Sequence, residues 1–229
     1  GEKAGILKPT VPVVVADLHP DARDVVGRKA LTLGIPCIEA HPLPPEWELG
    51  LAGAHQRENA ALAVEATCRI AGEQLTQEGI QQSLAETRWP GRFQQLGENL
   101  VVDGAHNEAA ARALCQTWQE IFPNEKATLI FGAAESKAVT DIFRELLPIV
   151  ETVAFVPIRS ERKLSVEEMK AALVEAGGEA IQVEDFASLE VALGAAQKRE
   201  GKTLVAGSLF LVGEALGILD GANFEVSLQ

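Results

Sequence analysis

The sequence predicts an α/β protein whose carboxyl-terminal part is a doubly wound, mostly parallel sheet. After about residue 100, short apolar strands alternate regularly with helical patterns. The strands are continuous apolar runs, which are typical of parallel strands covered by helices on both faces. Before that region, Trp89-Pro90-Gly91-Arg92 interrupts every periodicity, as a proline–glycine pair commonly does. We therefore expect two domains, 1–88 and 89–229.

The first part begins with a loop and contains one βαβ unit. Residues 11–16 are rich in valine and predict a buried strand, 20–33 predict a helix that Gly34 ends, and 35–39 predict a second strand. An alanine-rich helix is predicted over 60–71, directly after Asn59. A further helix is expected over 76–85, with Thr76 as its N-cap.

The second part begins with a hairpin, 93–96 paired with 100–102, and continues as repeated βα units. Asn107 is the expected N-cap of the first helix, and Ser165 with Glu168 has the spacing of a capping box. The expected helices are 107–121, 139–148, 165–176, 186–199 and a last one from 207–208 to about 217. The expected strands are 127–132, 151–156, 180–183 and 203–206.

Composition excludes several classes of function. The net charge of −13 argues against a nucleic-acid partner, because phosphate binding needs clustered Lys and Arg. No apolar run reaches the ~20 residues of a membrane span, and no signal peptide is recognised. Cys37, Cys68 and Cys115 are widely spaced, and we expect buried free thiols in a reducing cytoplasm. The absent initiator Met suggests a fragment or a processed chain.

The segment 100–107 is the main candidate for chemistry. It reads as a short strand that ends in Asp103, followed by a loop with Gly104 and His106 and then by a helix. Open α/β sheets bind ligands at the carboxyl ends of their strands, where Asp103 is expected to lie. An ordinary βα turn explains the same residues equally well.

Three further positions have both a functional and a structural reading. Arg92 offers a planar fork of donors for phosphate, but taken alone this position favours a hinge arginine that is salt-bridged to one of the many acidic residues. Asn59, with His55 and Gln56, could contact a nucleotide or simply cap a helix. Ser208 follows a strand and begins a helix, which is a common turn and a weak anion-site signal. No phosphate loop of the GxxxxGK[ST] type, no GxSxG, no HExxH and no Cys/His metal pattern occurs in the chain.

Five segments occur in an order that resembles the folylpolyglutamate synthase/dihydrofolate synthase family of the Mur ligase superfamily. They are GEKAGILKP at 1–9, GAHQRENAA at 53–61, WPGRFQ at 89–94, VVDGAHN at 101–107 and AGSLFLVGE at 206–214. The resemblance covers essentially the whole chain. It implies that 1–88 are the end of the central ATPase domain and that 89–229 are the carboxyl-terminal, Rossmann-like domain.

The resemblance implies an ATP- and Mg²⁺-dependent ligase that adds L-glutamate to folate or dihydropteroate through an acyl phosphate. Lys3 matches a carbamylated lysine that helps to hold magnesium. Asn59 matches a residue that contacts ATP, and Arg92 matches an interdomain arginine that reaches the ATP phosphates. Asp103 matches a carboxylate that contacts the nucleotide, and His106 lies in the same loop. Ser208 matches a position that faces the active-site cleft. A cytoplasmic monomer that acts on small molecules is expected.

Departures from the family limit what this chain is expected to do alone. The phosphate loop, the upstream magnesium ligands and the pteridine site of the family precede residue 1, so the 229-residue chain is predicted not to turn over. Ser136-Lys137-Ala138 stands where the family often has Asp-Lys-Asp, which affects how glutamate is held. Two alternatives stay open. One is a Mur-type amino-acid ligase of peptidoglycan precursors, and the other is a non-catalytic, truncated α/β binding module.

Overall fold

The computed structural model describes residues 2–71, 74–134 and 139–221, and the chain divides into two compact units, 1–88 and 89–229. The first unit begins with a 3₁₀ helix at Glu2–Ile6, where a loop was expected. Its further elements are β1 (Val13–Val15), α1 (Pro20–Leu33), β2 (Cys37–Glu39), α2 (Ala54–Ala71) and α3 (Gln77–Glu86). The strands β1 and β2 pair in parallel, as the βαβ prediction required.

The first unit buries few of its apolar side chains. β1 was expected to be a buried strand of six residues, but it has three residues and all are only partly buried. Among the described residues of this unit, the buried apolar side chains are those of Ala4, Ala30, Ile35 and Ala61. β1 and β2 form a sheet of only two short strands, and such a small sheet does not bury its strands fully.

The second unit contains a six-stranded sheet. Its strands are β3 (Gln94–Leu96), β4 (Leu100–Val102), β5 (Ala127–Phe131), β6 (Val150–Phe155), β7 (Gln182–Asp185) and β8 (Lys202–Ala206). Its helices are α4 (Glu108–Ile121), α5 (Val139–Leu146), α6 (Val166–Glu175), α7 (Leu189–Ala196) and α8 (Leu209–Leu219). The spatial order of the strands is β3-β4-β8-β5-β6-β7, and only β3 is antiparallel to its neighbour. The expected mostly parallel, doubly wound sheet is therefore confirmed.

Two rows of helices cover this sheet. α4, α5 and α6 contact one another in turn, and α7 contacts α8. The chain moves across the sheet from β4 to β7 and then returns to β8. Because βαβ crossovers are right-handed, this reversal places α7 and α8 on the opposite face from the other three helices. Neighbouring strands β8 and β5 therefore send their helices to opposite faces.

The caps predicted at Asn107, Thr76 and Ser165 are confirmed. Asn107 accepts a hydrogen bond from the amide of Ala110 at 2.9 Å, and Thr76 accepts one from Gly79 at 3.1 Å. Ser165 and Glu168 form the complete capping box. The hairpin of β3 and β4 is also present, with Leu96 opposite Leu100. These features depend on contacts within a few residues, which explains why spacing alone found them.

The prediction that all three cysteines are buried is wrong for two of them. Cys37 and Cys68 are exposed, and only Cys115 is buried. Cys37 lies in β2 of the sparsely packed first unit, whereas Cys115 lies on the face of α4 that packs into the sheet domain. Burial raises the pKa of the Cys115 thiol, and the nearby Glu145 carboxylate adds to the rise.

Alkylation of the native protein should separate these thiols. We expect Cys37 and Cys68 to react rapidly with iodoacetamide at pH 8, while Cys115 reacts only when the protein is unfolded. The reason is that Cys115 is both shielded and less ionised at a given pH, and the thiolate is the reactive form. Peptide mass spectrometry after timed labelling measures the three rates, and urea-unfolded protein is the control. Equal rates for Cys115 and Cys68 in the native protein would contradict this burial.

Candidate functional site

The loop after β4 lies at the carboxyl edge of the sheet and is tied to the joint that carries Arg92. Asp103 directly follows β4, and its two oxygens accept hydrogen bonds from the amides of Phe93 and Ala105, both at 2.8 Å. The amide of Gly104 donates to the carbonyl of Gly91 at 2.8 Å. Asp103 and Gly104 together therefore join the loop to the residues on both sides of Arg92, a structural role that sequence spacing did not reveal.

These contacts hold the backbone of Arg92 at a fixed corner. Gly91 has a φ of 70°. Phe93, which is buried, has a φ of 39°, a backbone conformation that residues other than glycine rarely adopt. A Cβ on Gly91 would lie 2.5 Å from Cγ1 of Val212, so only glycine fits there. The side chain of Arg92 itself is exposed.

His106 follows in the same loop. Its Nδ1 lies 2.7 Å from the carbonyl oxygen of Gly104. Because a carbonyl oxygen can only accept, Nδ1 carries the proton in this contact, and Nε2 of the neutral ring is then an acceptor. The side chain is exposed and borders a pocket of about 230 Å³.

This pocket lies where β8 and β5 send their helices to opposite faces. Its lining residues are His106, Ala133, Ala134, Val139, Ile142, Gly207, Ser208, Leu209 and Phe210. In open α/β sheets such a point is where ligands bind. Ala133, Ala134 and Phe210 were not among the predicted site residues, although Ala133 and Ala134 closely follow β5 as Asp103 follows β4.

Ser208 combines the cap of α8 with a position in the pocket wall. It is buried, and its Oγ accepts a hydrogen bond from the amide of Phe210 at 3.2 Å. The hydroxyl hydrogen stays available to a ligand, since the contact with Phe210 uses only a lone pair of the oxygen. The preceding Gly207 has a φ of 112°, and its amide donates to the carbonyl of Ala105 at 3.0 Å. The loops after β4 and β8 are thus joined directly.

Asn59 lies elsewhere, within the first unit. It was expected to precede a helix, but α2 begins at Ala54, so Asn59 lies inside the helix and does not cap it. Its Nδ2 donates to Oε1 of Gln56, which is buried, at 3.1 Å. Both amides line a pocket of about 210 Å³ between α2, α3 and the segment of Leu49 and Leu51. Asn59 and Gln56 therefore act as a hydrogen-bonded pair of amides on α2, and Asn59 is not a helix cap.

The remaining predicted residues are only partly described. Lys3 lies in the first 3₁₀ helix, and its side chain is outside the described part of the structure. Ser136-Lys137-Ala138 also falls outside the described residues. Within the ranges that are described, no group of three or more His, Cys, Asp or Glu side chains could hold a metal ion. No described helix is long and apolar enough to cross a membrane.

Comparison with known proteins identifies the family. The family described as "Mur ligase, glutamate ligase domain" matches residues 91–209, which is more than half of the chain. The chain belongs to the Mur ligase family. The matched range begins at the joint with Arg92 and ends at the start of α8, so it includes the edge with Asp103, His106 and Ser208.

Relatives within this Mur ligase family carry folate-related names. The chain is 29% identical over 183 residues to the dihydrofolate synthase/folylpolyglutamate synthase of Bacillus subtilis, covering 68% of this chain and 43% of that protein. It is 29% identical over 208 residues to the folylpolyglutamate synthase of Lacticaseibacillus casei, covering 78% and 46%. The chain thus spans less than half the length of these two relatives.

Solved structures support the same fold. The folylpolyglutamate synthase of Thermotoga maritima matches with a TM-score of 0.77 and 26% identity, over 98% of this chain and 57% of that one. The Mycobacterium tuberculosis folylpolyglutamate synthase, solved with ADP and AMPPCP, matches with a TM-score of 0.82 and 23% identity, over 98% and 59%. The resemblance seen in the sequence to this group of ligases is therefore confirmed.

Proposed function

We propose that this chain is the carboxyl-terminal part of an ATP-dependent ligase that joins L-glutamate to folate, to dihydropteroate or to both. In this proposal, residues 1–88 belong to the end of the central ATPase domain and 89–229 belong to the carboxyl-terminal domain. The observation that carries the proposal is the edge of the glutamate ligase domain, where the loop after β4 both holds the backbone around the exposed Arg92 and carries His106. His106 and Ser208 line a pocket at this edge.

The chemistry of these residues suits an acyl-phosphate reaction. ATP phosphorylates the carboxylate of the folate, and the amine of glutamate then attacks the acyl phosphate and releases phosphate. The guanidinium of Arg92 offers charge stabilisation to the phosphoryl group. Asp103 holds the backbone around Arg92 and is proposed to contact the nucleotide, and His106 is proposed to accept a hydrogen bond through Nε2.

The pocket beside Ser208 fits a small anionic ligand. A pocket of about 230 Å³ that opens to solvent can take an amino acid. The amide groups at the start of α8 and the hydroxyl of Ser208 favour a carboxylate there. We assign this pocket to L-glutamate. Asn59 remains the proposed ATP contact of the first unit, and Lys3, carbamylated, remains the proposed magnesium ligand.

The deciding experiment compares the complete gene product with the 229-residue chain. Each is incubated with ATP, Mg²⁺, L-glutamate and either tetrahydrofolate or dihydropteroate, and phosphate release and product mass are measured. We expect the complete gene product to form a product one glutamate residue heavier, and the 229-residue chain alone to be inactive. D-glutamate is the control for specificity. The absence of glutamate-dependent phosphate release by the complete gene product would overturn the proposal.

Further arms of the same assay separate the alternatives. A peptidoglycan-precursor acid in place of the folate tests for another Mur-type ligase. The absence of turnover with every acceptor would favour a non-catalytic module. A cytoplasmic monomer without nucleic-acid or membrane partners stays a prediction.

A further inference from the structure

A buried acidic side chain lies on α8, outside the residues assigned so far. The side chain of Glu214 is 6% exposed, and its Oε1 lies 2.9 Å from Nε of Arg159, with which it forms an ion pair. Burial raises the pKa of the Glu214 carboxyl, the neighbouring Glu190 adds to the rise, and Arg159 opposes it. A buried carboxylate is costly unless a positive group pairs with it, so Arg159 is needed where it is.

Arg159 connects three elements of the sheet domain. Its Nη2 donates to Oε1 of Glu190 on α7 at 3.1 Å, while its Nε binds Glu214 on α8. Arg159 itself lies in the segment 156–164, between β6 and α6. The preceding Ile158 is buried in the same apolar cluster as residues of α7 and α8. Charge and apolar packing therefore hold the beginning of this segment against both helices.

The same segment forms the backing of the pocket wall. A Cβ on Gly132 would lie 2.7 Å from the carbonyl oxygen of Val156 and 2.8 Å from Cγ2 of Ile158, so the two stretches of backbone are in close contact. Further along, Lys163 forms a β-bridge with Ala134, and the amide of Leu164 donates to the carbonyl of Ala133 at 3.0 Å. Ala133 and Ala134 are lining residues of the pocket.

We propose that Arg159 and Glu214 are positioning residues that fix the wall of the pocket beside Ser208 through the segment 156–164, and so set its affinity for L-glutamate. This inference rests on the proposed function, which assigns that pocket to glutamate. Neither side chain lines the pocket, so their effect passes through Ala133 and Ala134. Losing the ion pair loosens the wall without removing any group that touches a ligand.

Two variants of the complete gene product test the proposal. Arg159→Gln leaves Glu214 buried and unpaired, which costs stability, whereas Arg159→Gln with Glu214→Gln removes the ion pair and leaves no buried charge. We expect both to raise KM for L-glutamate about fivefold, with kcat and KM for ATP within about twofold of the unmodified protein. We expect Arg159→Gln to lower the midpoint of thermal unfolding, and the double variant to return it to the value of the unmodified protein. Arg159→Lys should restore part of the affinity.

Matched controls are Arg199→Gln alone and with Glu184→Gln. Arg199 is another arginine of the sheet domain with a glutamate partner, at 2.6 Å, and neither residue lines the pocket. These controls should leave KM for glutamate unchanged. The proposal would be overturned if KM for L-glutamate in Arg159→Gln, or in the double variant, equalled that of the unmodified protein.

Hydrogen exchange gives a readout that does not require activity. The amide of Leu164 is protected by its bond to Ala133, and we expect it to exchange about five- to tenfold faster in the double variant of Arg159 and Glu214. If the unmodified complete gene product ligates no glutamate, the proposed function fails, yet exchange at Leu164 still tests the connection to the wall. Unchanged exchange at Leu164 would overturn the positioning role itself.

Discussion

Replacing Arg92 with alanine in the complete gene product should lower kcat/KM for ATP about 100-fold or more, the usual effect of removing a group that stabilises charge in the transition state. The guanidinium is exposed, while the backbone on either side is fixed by Gly104 and Asp103. Its loss should therefore remove charge stabilisation from the phosphoryl group and leave the fold intact. Steady-state kinetics with varied ATP, together with thermal unfolding, measures both effects.

The control for Arg92→Ala is Arg144→Ala. Arg144 is another exposed arginine of the sheet domain, and it pairs with Asp141 on α5. Its loss should change kcat/KM by less than about twofold, because exposed ion pairs contribute little. An unchanged rate and ATP affinity in Arg92→Ala would reject the role assigned to Arg92.

Replacing Gly207 with alanine should destabilise the sheet domain by about 2–4 kcal/mol, from a strained backbone together with overpacking. Gly207 has a φ of 112°, and a Cβ there would lie 2.5 Å from the ring of Phe131, a fully buried side chain. The loop after β8 would have to move, and with it the wall of the pocket. Urea unfolding of a Trp47→Phe/Trp89→Phe background, in which only Trp118 fluoresces, measures the change.

The matched substitution for Gly207→Ala is Gly194→Ala in α7. A Cβ on Gly194 would meet nothing within 4 Å, and alanine is the better helix former, so stability should rise by up to about 1 kcal/mol. A loss below 1 kcal/mol in Gly207→Ala, on the order of an ordinary surface substitution, would show that the loop after β8 adapts freely. The pair thus separates strain at the site from a general effect of adding a methyl group.

Much of the fold followed from local patterns. The hairpin of β3 and β4, the cap at Asn107 and the capping box at Ser165 depend on residues close in sequence, and each was predicted correctly. The start of α2 was misjudged because Asn59 is a good cap by type, yet the chain turns helical at Ala54. The exposure of Cys37 and Cys68 was missed because apolar neighbours in the sequence do not show whether other elements pack over a side chain.

The sequence pointed to some residues of the candidate site and not to others. The rule for open sheets pointed to Asp103 from the sequence, because Asp103 directly follows β4. His106 was singled out as a residue of the same loop and Ser208 as the start of a helix, and the functional roles of all three stay predictions. The pocket residues Ala133 and Phe210 carry no chemical signal of their own, and no spacing rule selects them.

The sequence by itself determined the α/β class, the domain joint at residues 89–92, the caps at Asn107, Thr76 and Ser165, and the resemblance to a ligase family. Each of these depends on residues that are close together in the sequence or on the order of short motifs. Only the tertiary structure decided the strand order, the use of Asp103 to hold the corner of Arg92, and the ion pair of Arg159 with Glu214. The physical reason is that β8 inserts between β4 and β5. Which distant loops meet depends on this insertion and on packing across the whole sheet, not on any local preference.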